Sequence, residues 1–223
     1  MNILAITGTN TGVGKTIATA ALAVEYRHAG YDVRVVKPVQ TGEPEGSGDI
    51  FTIAQLSGVK AVECIRYPEP LSPHLAARRA GQPALSVAEM AHHISTIELG
   101  HPGVILVEGA GGLLVRYNDT ESFADLIAAL NAKVVVVTSL GLGSLNLAEL
   151  TVEVARLRGL DVCGLIGGEL APHPDLATRL NLEELPIQCG VPLLGVLPSA
   201  MGQIDGTIPP GLIRLPDSWD TDL

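Results

Sequence analysis

The sequence predicts a doubly wound α/β fold, with a mainly parallel sheet and helices on both of its faces. Two observations predict it. Short β-branched runs recur along the chain, and each is followed by glycine or proline and then by a helical pattern. The runs are also apolar throughout, as strands must be when helices cover both faces of a parallel sheet. Such strand–helix alternation is typical of doubly wound sheets.

The individual elements can be placed from these patterns. The apolar β-branched runs predict strands at residues 2–7, 33–36, 104–107, 134–138, 162–166 and 193–197. Helical spacing of apolar residues predicts helices at residues 15–29, 73–80, 86–99, 122–131, 145–158 and 175–189. Residues 203–223 contain three prolines and no helical pattern, so we expect an irregular tail. Ligands of such sheets bind beyond the carboxyl ends of the strands, so the residues after each strand are the ones to examine.

Length and composition favour one domain and restrict its partners. A chain of 223 residues is short for two domains, so we expect a single domain over residues 1–223. Hydrophobic residues make up 47% and aromatic residues only 3%, so the core must be aliphatic. Acidic residues outnumber basic ones by 24 to 14, which gives a formal net charge of -10, and we find no basic patch. We therefore expect neither nucleic acid nor a membrane as a partner.

The cysteines and the N-terminus predict a cytoplasmic protein. Cys64, Cys163 and Cys189 are far apart and odd in number, which favours buried thiols in a reducing compartment over a disulfide framework or a zinc site. No basic region precedes the first apolar run, so the N-terminus does not resemble a signal peptide. No apolar run reaches the ~18 residues that a membrane-spanning helix needs.

The stretch GTNTGVGKT, residues 8–16, ends like a phosphate-binding loop but lacks its standard spacing. The general pattern G-x-x-x-x-G-K-[ST] requires a glycine where the second residue of this stretch is threonine. A predicted strand precedes the stretch and a predicted helix follows it, as a phosphate loop requires. Gly12 and Gly14 would let backbone N–H groups point at phosphate, beside the positive end of the helix. We expect Lys15 to reach the terminal phosphates and the Thr16 hydroxyl to bind Mg²⁺. The stretch thus predicts a P-loop NTPase-like fold.

Three charged residues stand near strand ends. Lys37 follows the second predicted strand, where it would either face phosphate as a second cation or extend along the sheet edge to water. Asp49 precedes a short apolar segment and could equally cap a helix or bind metal. Glu108 closes the third predicted strand before a glycine-rich stretch. It would position metal or water for phosphoryl transfer, or else cap a neighbouring turn.

A further helix start follows the fourth predicted strand. Gly141 and Gly143 open the helix predicted at residues 145–158. Ser144 would either cap this helix or help its positive end to bind a carboxylate.

The sequence resembles the dethiobiotin synthetase family in five motifs, which occur in the same order as in that family. They are GTNTGVGKT, KPVQTG, SPHLAA, VEGAGGLLV and GLGSLNLAELT, and PLLGVLP extends the match towards residue 198. The family's own phosphate loop is the variant G-T-x-T-x-V-G-K-T, which explains the unusual spacing of residues 8–16.

The resemblance implies an ATP- and Mg²⁺-dependent cyclo-ligase of biotin biosynthesis. CO₂ or bicarbonate would carboxylate one amine of 7,8-diaminopelargonate, and ATP would phosphorylate the resulting carbamate. The second amine would then displace phosphate from this carbamic–phosphoric anhydride, giving the cyclic urea of dethiobiotin, ADP and phosphate. Such chemistry needs positioning and cations where negative charge develops. The family also implies a homodimer.

The resemblance further implies roles for individual residues. The catalytic residues would be Thr11, Lys15 and Lys37, and the Mg²⁺ ligands would be Thr16, Asp49 and Glu108. Nucleotide contacts would come from Gly12, Val13, Gly14, Lys15, Thr16, Ile17, Asp49, Glu108, Gly109, Ala110, Gly111, Gly168, Glu169, Leu197, Pro198 and Ser199. The diamine would contact Lys37, Thr41 and Gly111, and its carboxylate would reach a partner subunit at Gly143, Ser144, Leu145 and Asn146.

The sequence departs from the family pattern at two places. Gly12 stands where many members carry a larger residue. IGGEL, residues 166–170, stands where members often have Asn-Asp, and Gly168 aligns with the asparagine, whose amide can hydrogen-bond the edge of adenine. We therefore predict a loose choice of nucleotide base.

An alternative is a partition- or septum-type P-loop switch ATPase. Its loop would carry a second lysine near the start, in K-G-G-x-x-K-T, but no lysine precedes Lys15 in this loop. A basic amphipathic tail for DNA or membranes is also missing. A cobyrinate-type amidoligase would need a glutaminase domain, for which the chain leaves no room.

Overall fold

The computed structural model describes residues 2–216, which contain a seven-stranded parallel sheet. Its strands are β1 (Asn2–Gly8), β2 (Asp32–Thr41), β3 (Lys60–Tyr67), β4 (Gly103–Gly112), β5 (Lys133–Thr138), β6 (Val162–Leu170) and β7 (Leu193–Pro198). They lie side by side in the order β3-β2-β4-β1-β5-β6-β7. The central strand β1 pairs in parallel with both β4 and β5.

Seven helices cover the two faces of this sheet in the described chain. They are α1 (Lys15–His28), α2 (Asp49–Ser57), α3 (Pro73–Ala80), α4 (Val87–Ser95), α5 (Phe123–Ala129), α6 (Ser144–Leu157) and α7 (Leu176–Cys189). Leu106 of β4 packs in the cluster that α1 and α2 cover. Its neighbours Ile105 and Val107 pack in the opposite cluster, under α3 to α7. Side chains along β4 thus alternate between two aliphatic cores, and the predicted doubly wound fold is confirmed.

The sequence did not predict β3 and α2. β3 is an edge strand that pairs only with β2 among the described strands. Its charged residues Lys60, Glu63 and Arg66 interrupt the apolar run that marks the inner strands. α2 is a short helix of nine residues and directly follows a polar loop, so its periodicity is weak.

The segment after β7 packs across the α1 side of the molecule without forming a long helix or a paired strand. It contains a 3₁₀ turn at Met201–Gln203, and Ile208 and Ile213 are buried. Oε1 of Glu25 on α1 accepts the backbone N–H groups of Gly211, Leu212 and Ile213, at 2.6, 3.0 and 3.4 Å. Ile213 also forms an isolated antiparallel bridge with Gly195 of β7. The end of the predicted tail, residues 217–223, lies outside the described residues.

Because all seven strands run in one direction, their carboxyl ends meet at one edge of the sheet. Residues in or just after the carboxyl halves of β1, β2, β4 and β6 are thereby brought together from distant parts of the sequence. Among residues 2–216, no helix is long and apolar enough to cross a membrane.

Candidate nucleotide and substrate site

Residues 8–16 form a loop that connects the end of β1 to the start of α1. Gly12 and Gly14 have φ angles of 77° and 93°, which L side chains rarely adopt. α1 begins at Lys15, so its free N–H groups face the loop. The predicted strand–loop–helix context of a phosphate loop is thus present, with an anion-binding helix start at its end.

Lys15 is buried within this loop. Its Nζ donates to the carbonyl oxygen of Asn10 at 3.1 Å. Burial and then the neighbouring Lys37 charge lower the pKa of Lys15 to about 8, while Glu108 and Asp49 act in the opposite direction. A charge that is destabilised in this way favours an anionic ligand beside it.

The centre of the site is a cluster of Lys37, Asp49, Glu108 and Thr16. Lys37 Nζ lies 2.8 Å from Glu108 Oε1 and 2.7 Å from Asp49 Oδ2, and it donates to the carbonyl of Gly109 at 3.0 Å. The Thr16 hydroxyl donates to Asp49 Oδ1 at 2.9 Å and lies 3.3 Å from Glu108 Oε1. Lys37 lies within β2 and Glu108 within β4, not after these strands as predicted. The cluster therefore joins the carboxyl halves of β2 and β4 to the first turns of α1 and α2.

These contacts decide between the alternatives that the sequence left open. Lys37 is only 3% exposed, so it does not extend along the sheet edge to water. Asp49 is the first residue of α2 and Gly48 is its cap, so Asp49 is not the capping residue. Its carboxylate contacts Lys37 and Thr16 instead. Glu108 faces the same cluster.

The charges in the cluster stabilise one another. Burial alone would lower the pKa of Lys37, but the charges of Glu108 and Asp49 outweigh it and raise that pKa. Burial would likewise raise the pKa of Asp49, but Lys37 and the bond from Thr16 lower it. Lys37 is therefore held protonated and Asp49 ionised.

The oxygen atoms of the cluster suit Mg²⁺. A hydroxyl and carboxylates are the hard oxygen ligands that this ion takes. Glu108 is fully buried, and its Oε2 has no hydrogen-bond partner among the described residues, so one oxygen of this carboxylate is left without a donor. The described chain holds no group of three or more His, Cys, Asp or Glu residues that could bind a metal alone. Phosphate and water would have to complete the coordination, as is usual for Mg²⁺.

A cavity of about 640 Å³ opens beside the cluster. It is lined by most of the predicted site residues: Thr11, Gly12, Gly14, Lys15, Thr16, Ile17, Lys37, Thr41, Asp49, Glu108, Ala110 and Gly111. Gly111 has a φ of 69°, and a Cβ there would lie 2.9 Å from Val115 and 3.3 Å from Thr11 Oγ1. Gly109 is not among the residues that line the cavity, and a Cβ there would lie 2.4 Å from the Phe123 ring.

The sequence missed two parts of this cavity. Gln40 accepts the Asp49 N–H at 3.1 Å and donates to the carbonyl of Thr41 at 3.2 Å, so it ties the start of α2 to the end of β2. Residues 70–73, between β3 and α3, line the wall nearest Thr41. The signal for Gln40 was a polar residue within the apolar second strand, in the motif KPVQTG.

The residues predicted to contact the base lie outside this cavity lining. Gly168 is within β6, not after it, and packs against the phosphate loop. A Cβ at Gly168 would lie 1.7 Å from the carbonyl oxygen of Val13, so this packing leaves no room for any side chain. Glu169 is exposed beside it. Of the turn after β7, Leu197 is buried in the core, while Pro198 and Ser199 reach the surface, where the Ser199 N–H donates to Leu170 at 2.9 Å.

The predicted carboxylate site at the start of α6 also lies apart from the cavity lining. Gly143 caps α6 with a φ of 92°, and Ser144 is its first helical residue, so Ser144 is not the cap. The Ser144 hydroxyl is 1% exposed and accepts a bond from Asn181 Nδ2 at 3.1 Å. Leu145 is half-buried and Asn146 is exposed.

Fold and site together define a P-loop nucleotide-binding protein of the α/β class. A model of the AAA domain family matches residues 2–202. The chain belongs to the family of ATP-dependent dethiobiotin synthetases. It is 55% identical over 204 residues to the ATP-dependent dethiobiotin synthetase BioD of Corynebacterium efficiens, covering 92% of each chain. It is 44% identical to the synthetase of the same name from Streptomyces avermitilis, covering 100% of this chain and 97% of that one.

Solved structures show the fold more widely. The chain resembles chloroplast FtsY from Physcomitrella patens with a TM-score of 0.52 at 20% identity, covering 87% of this chain and 57% of that one. It resembles a chain of the MinC:MinD cell division protein complex of Aquifex aeolicus with a TM-score of 0.54 at 13% identity, covering 89% and 81%. At these identities the likeness shows the P-loop fold alone. The sequence relatives favour the synthetase over the switch ATPase.

Proposed function

We propose that the chain, as one P-loop ATP-dependent synthetase domain, converts 7,8-diaminopelargonate, CO₂ and ATP into dethiobiotin, ADP and phosphate. One observation carries the proposal. A second buried lysine, Lys37, lines one cavity together with the phosphate loop, and Thr41 and residues 70–73, which lie outside that loop, line the same cavity. A simple nucleotide switch has no need of such a cavity, whereas a ligase must hold an acceptor in line with the terminal phosphate.

The reaction divides into three steps. One amine of the diamine attacks CO₂ and loses a proton, which gives a carbamate. A carbamate oxygen then attacks the γ-phosphorus of ATP, the bond to the bridging oxygen breaks, and ADP leaves. The second amine attacks the carbonyl carbon of the mixed anhydride, the C–O bond to phosphate breaks, and the five-membered urea closes with loss of a proton.

The protein would act in these steps chiefly by position and charge. Lys15 would neutralise the terminal phosphates. Burial and the Lys37 charge lower its pKa, and a bound anion would stabilise its protonated form. Lys37 is fixed by three oxygen atoms and lines the same cavity as the loop. There its charge would stabilise the carbamate and the negative charge on the transferring phosphoryl group. Thr11, Thr41 and Gly111 line the same cavity and would orient the diamine.

Thr16, Asp49 and Glu108 would hold Mg²⁺. When bound, this ion would supply positive charge that stabilises the negative charge of the phosphoryl group. The support is the set of hard oxygen donors and the unpaired buried oxygen of Glu108.

We also propose a homodimer in which the substrate carboxylate reaches the start of α6 in the partner subunit. Because the Ser144 hydroxyl and N–H are both engaged, the N–H groups of Leu145 and Asn146 would bind it. Exposed leucines beside this start, Leu142 and Leu150, support a protein contact there. Sedimentation should show a dimer at assay concentrations, and a fully active monomer at high dilution would contradict this proposal. The cytoplasmic location stays a prediction.

The test of the reaction is product formation. The protein is incubated with Mg²⁺, ATP, diaminopelargonate and ¹³C-bicarbonate, and the product is analysed by mass spectrometry. We expect dethiobiotin with one labelled ureido carbon and one ADP for each product molecule. ATP hydrolysis that is independent of the diamine and yields no ureido product would overturn the proposal and favour the switch ATPase.

A further inference from the structure

Ser72 and His74, in the motif SPHLAA, form a polar pair at the cavity that no step above uses. Ser72 lines the cavity directly before α3. Its Oγ lies 3.0 Å from Nδ1 of His74. In the described chain, the Ser72 hydroxyl accepts no capping bond from α3, although serine at this position commonly does so. Its side chain is thus committed to His74 and the cavity instead of to the helix.

The backbone fixes the position of this pair. Gly42, which follows β2 with a φ of 77°, lies directly against Pro70, because a Cβ on Gly42 would come within 2.5 Å of the Pro70 Cβ. The Gly42 N–H donates to the carbonyl of Tyr67 at 3.1 Å. At the other side, the N–H of His74 donates to the carbonyl of Arg116 at 3.4 Å. These contacts place Ser72 on the same wall of the cavity as Thr41.

The strand order separates this wall from the nucleotide base. The phosphate loop follows β1 at the centre of the sheet, and the predicted base contacts lie within β6 and at the end of β7, on one side of it. Ser72 follows β3, at the opposite end of the strand order, beyond Lys37 and Thr41 on β2. A group on this wall therefore faces the acceptor and not the nucleotide.

The chemistry of the pair suits an amine. When His74 Nδ1 accepts the Ser72 proton, the two lone pairs of Oγ are left as acceptors that point away from the imidazole. An amine offers N–H donors and, when neutral, needs its own lone pair free for attack. A hydroxyl oxygen that accepts an N–H of the amine orients that lone pair without consuming it. Residues 70–73 are otherwise Pro, Leu and Pro, so Ser72 supplies the one polar side chain of this segment.

We propose that Ser72, oriented by His74, binds the second amine of the diamine and holds it for attack on the mixed anhydride. His74 acts through Ser72 and is a positioning residue. The inference rests on the proposed function, because it concerns the ring-closing step of that reaction. It assigns a role to a motif that otherwise contributes only a helix start.

The test uses the ratio of ADP formed to ureido product. In Ser72→Ala the carbamate would still form and be phosphorylated, but the amine would attack more slowly, and water would hydrolyse part of the anhydride. We expect product formation to fall roughly 3–10-fold, as for the loss of one hydrogen bond, with a smaller fall in ATP consumption. ADP per product should then exceed one. Ser72→Thr, which keeps the hydroxyl, should retain a ratio near one.

Variants at position 74 test the positioning role. In His74→Asn, Oδ1 of asparagine is two bonds from Cβ, as Nδ1 of histidine is, and can accept the Ser72 proton. The ratio of ADP to ureido product should therefore stay near one. His74→Phe removes the acceptor and should raise the ratio as Ser72→Ala does. Ser86→Ala is the matched control. The Ser86 hydroxyl caps α4 by accepting the Glu89 N–H, and Ser86 does not line the cavity. The substitution should lower thermal stability while the ratio stays near one.

The outcomes separate the two proposals. If the unaltered protein forms no ureido product, the proposed function fails. If it forms the product, and folded Ser72→Ala and His74→Phe keep both the rate and a ratio of one, the inference about the pair is overturned. Should Ser72→Ala unfold, the comparison of His74→Asn with His74→Phe decides in its place.

Discussion

The side-chain amide of Asn181 on α7 donates to the hydroxyl of Ser144 at the first residue of α6, over 3.1 Å. The same Nδ2 donates to the carbonyls of Leu140 and Gly141, each at 2.9 Å. Asn181 is 7% exposed, so one buried amide fixes the whole loop between β5 and α6. This loop presents the helix start where we place the substrate carboxylate.

We expect Asn181→Leu to raise the KM for diaminopelargonate without changing the KM for ATP. The substitution leaves buried oxygen acceptors without a donor, which destabilises the fold by roughly 1–3 kcal/mol and loosens the start of α6. Steady-state kinetics and thermal unfolding measure the two effects. Gln188→Ala is the control, because it removes an exposed amide on the same helix that donates to Glu149. Equal KM values for the diamine in both folded variants would contradict the role of Asn181.

Lys37→Met should reduce turnover by at least ~10²–10³-fold, since one cation at the developing negative charge is removed. The structure adds a second expectation. Without Lys37, the buried Glu108 and the nearby Asp49 lose the cation that both contact, and loss of one partner of a buried pair costs about 3–5 kcal/mol. The melting temperature should therefore fall, and Mg²⁺ should restore part of it.

The double variant Lys37→Met/Glu108→Gln is the control for that expectation. It removes both charges of the more deeply buried pair, Lys37–Glu108, so stability should recover while turnover stays low. A Lys37→Met protein with an unchanged melting temperature and a near-normal rate would refute both parts.

Glu25→Ala should release the segment around residues 211–213 from α1. The carboxylate oxygen that accepts three backbone N–H groups is lost, which leaves these donors unsatisfied at a cost of roughly 1–3 kcal/mol. Limited proteolysis should cut the variant after Gln203 before the rest of the chain. Glu25→Gln keeps one carbonyl oxygen and should resist cleavage better. Equal resistance in all three proteins would show that Ile208 and Ile213 hold the segment without Glu25.

The choice of nucleotide base should be loose. Gly168 offers no side chain, and the remaining contacts would come from its backbone, Glu169 and the turn at Pro198 and Ser199. Shape and apolar contact discriminate only ~10–200-fold, so CTP, GTP and UTP should support turnover within about two orders of magnitude of ATP. Measurement of kcat/KM for the four triphosphates at one Mg²⁺ concentration tests this, and a preference for ATP above ~10⁴ would count against it.

Gly168→Asn should not tighten that choice. A Cβ at this position would lie 1.7 Å from the carbonyl oxygen of Val13, so the substitution must displace the phosphate loop. We expect weaker binding of all four triphosphates, which nucleotide titration would detect. Tighter ATP binding would contradict this, because it would show that the phosphate loop can move away from β6 and still bind nucleotide.

The sequence by itself determined the inner part of the fold and the identity of the phosphate loop. The five inner strands and β7 are marked by apolar β-branched runs, because both of their faces are covered. The phosphate loop is recognisable because it needs only a strand, a loop and a helix that are adjacent in sequence. Its marker residues are Gly12, Gly14, Lys15 and Thr16.

Only the tertiary structure decided which side chains share the site. Lys37, Asp49 and Glu108 are distant in sequence, and their contacts follow from the placement of β4 between β2 and β1, which no local pattern encodes. The tertiary structure also decided that the Asp49 carboxylate contacts Lys37 and Thr16 instead of capping α2. It decided as well that Asn181 covers the Ser144 hydroxyl. Periodicity reports whether a residue faces a core, whereas the partner of a buried polar group depends on which elements pack together in space.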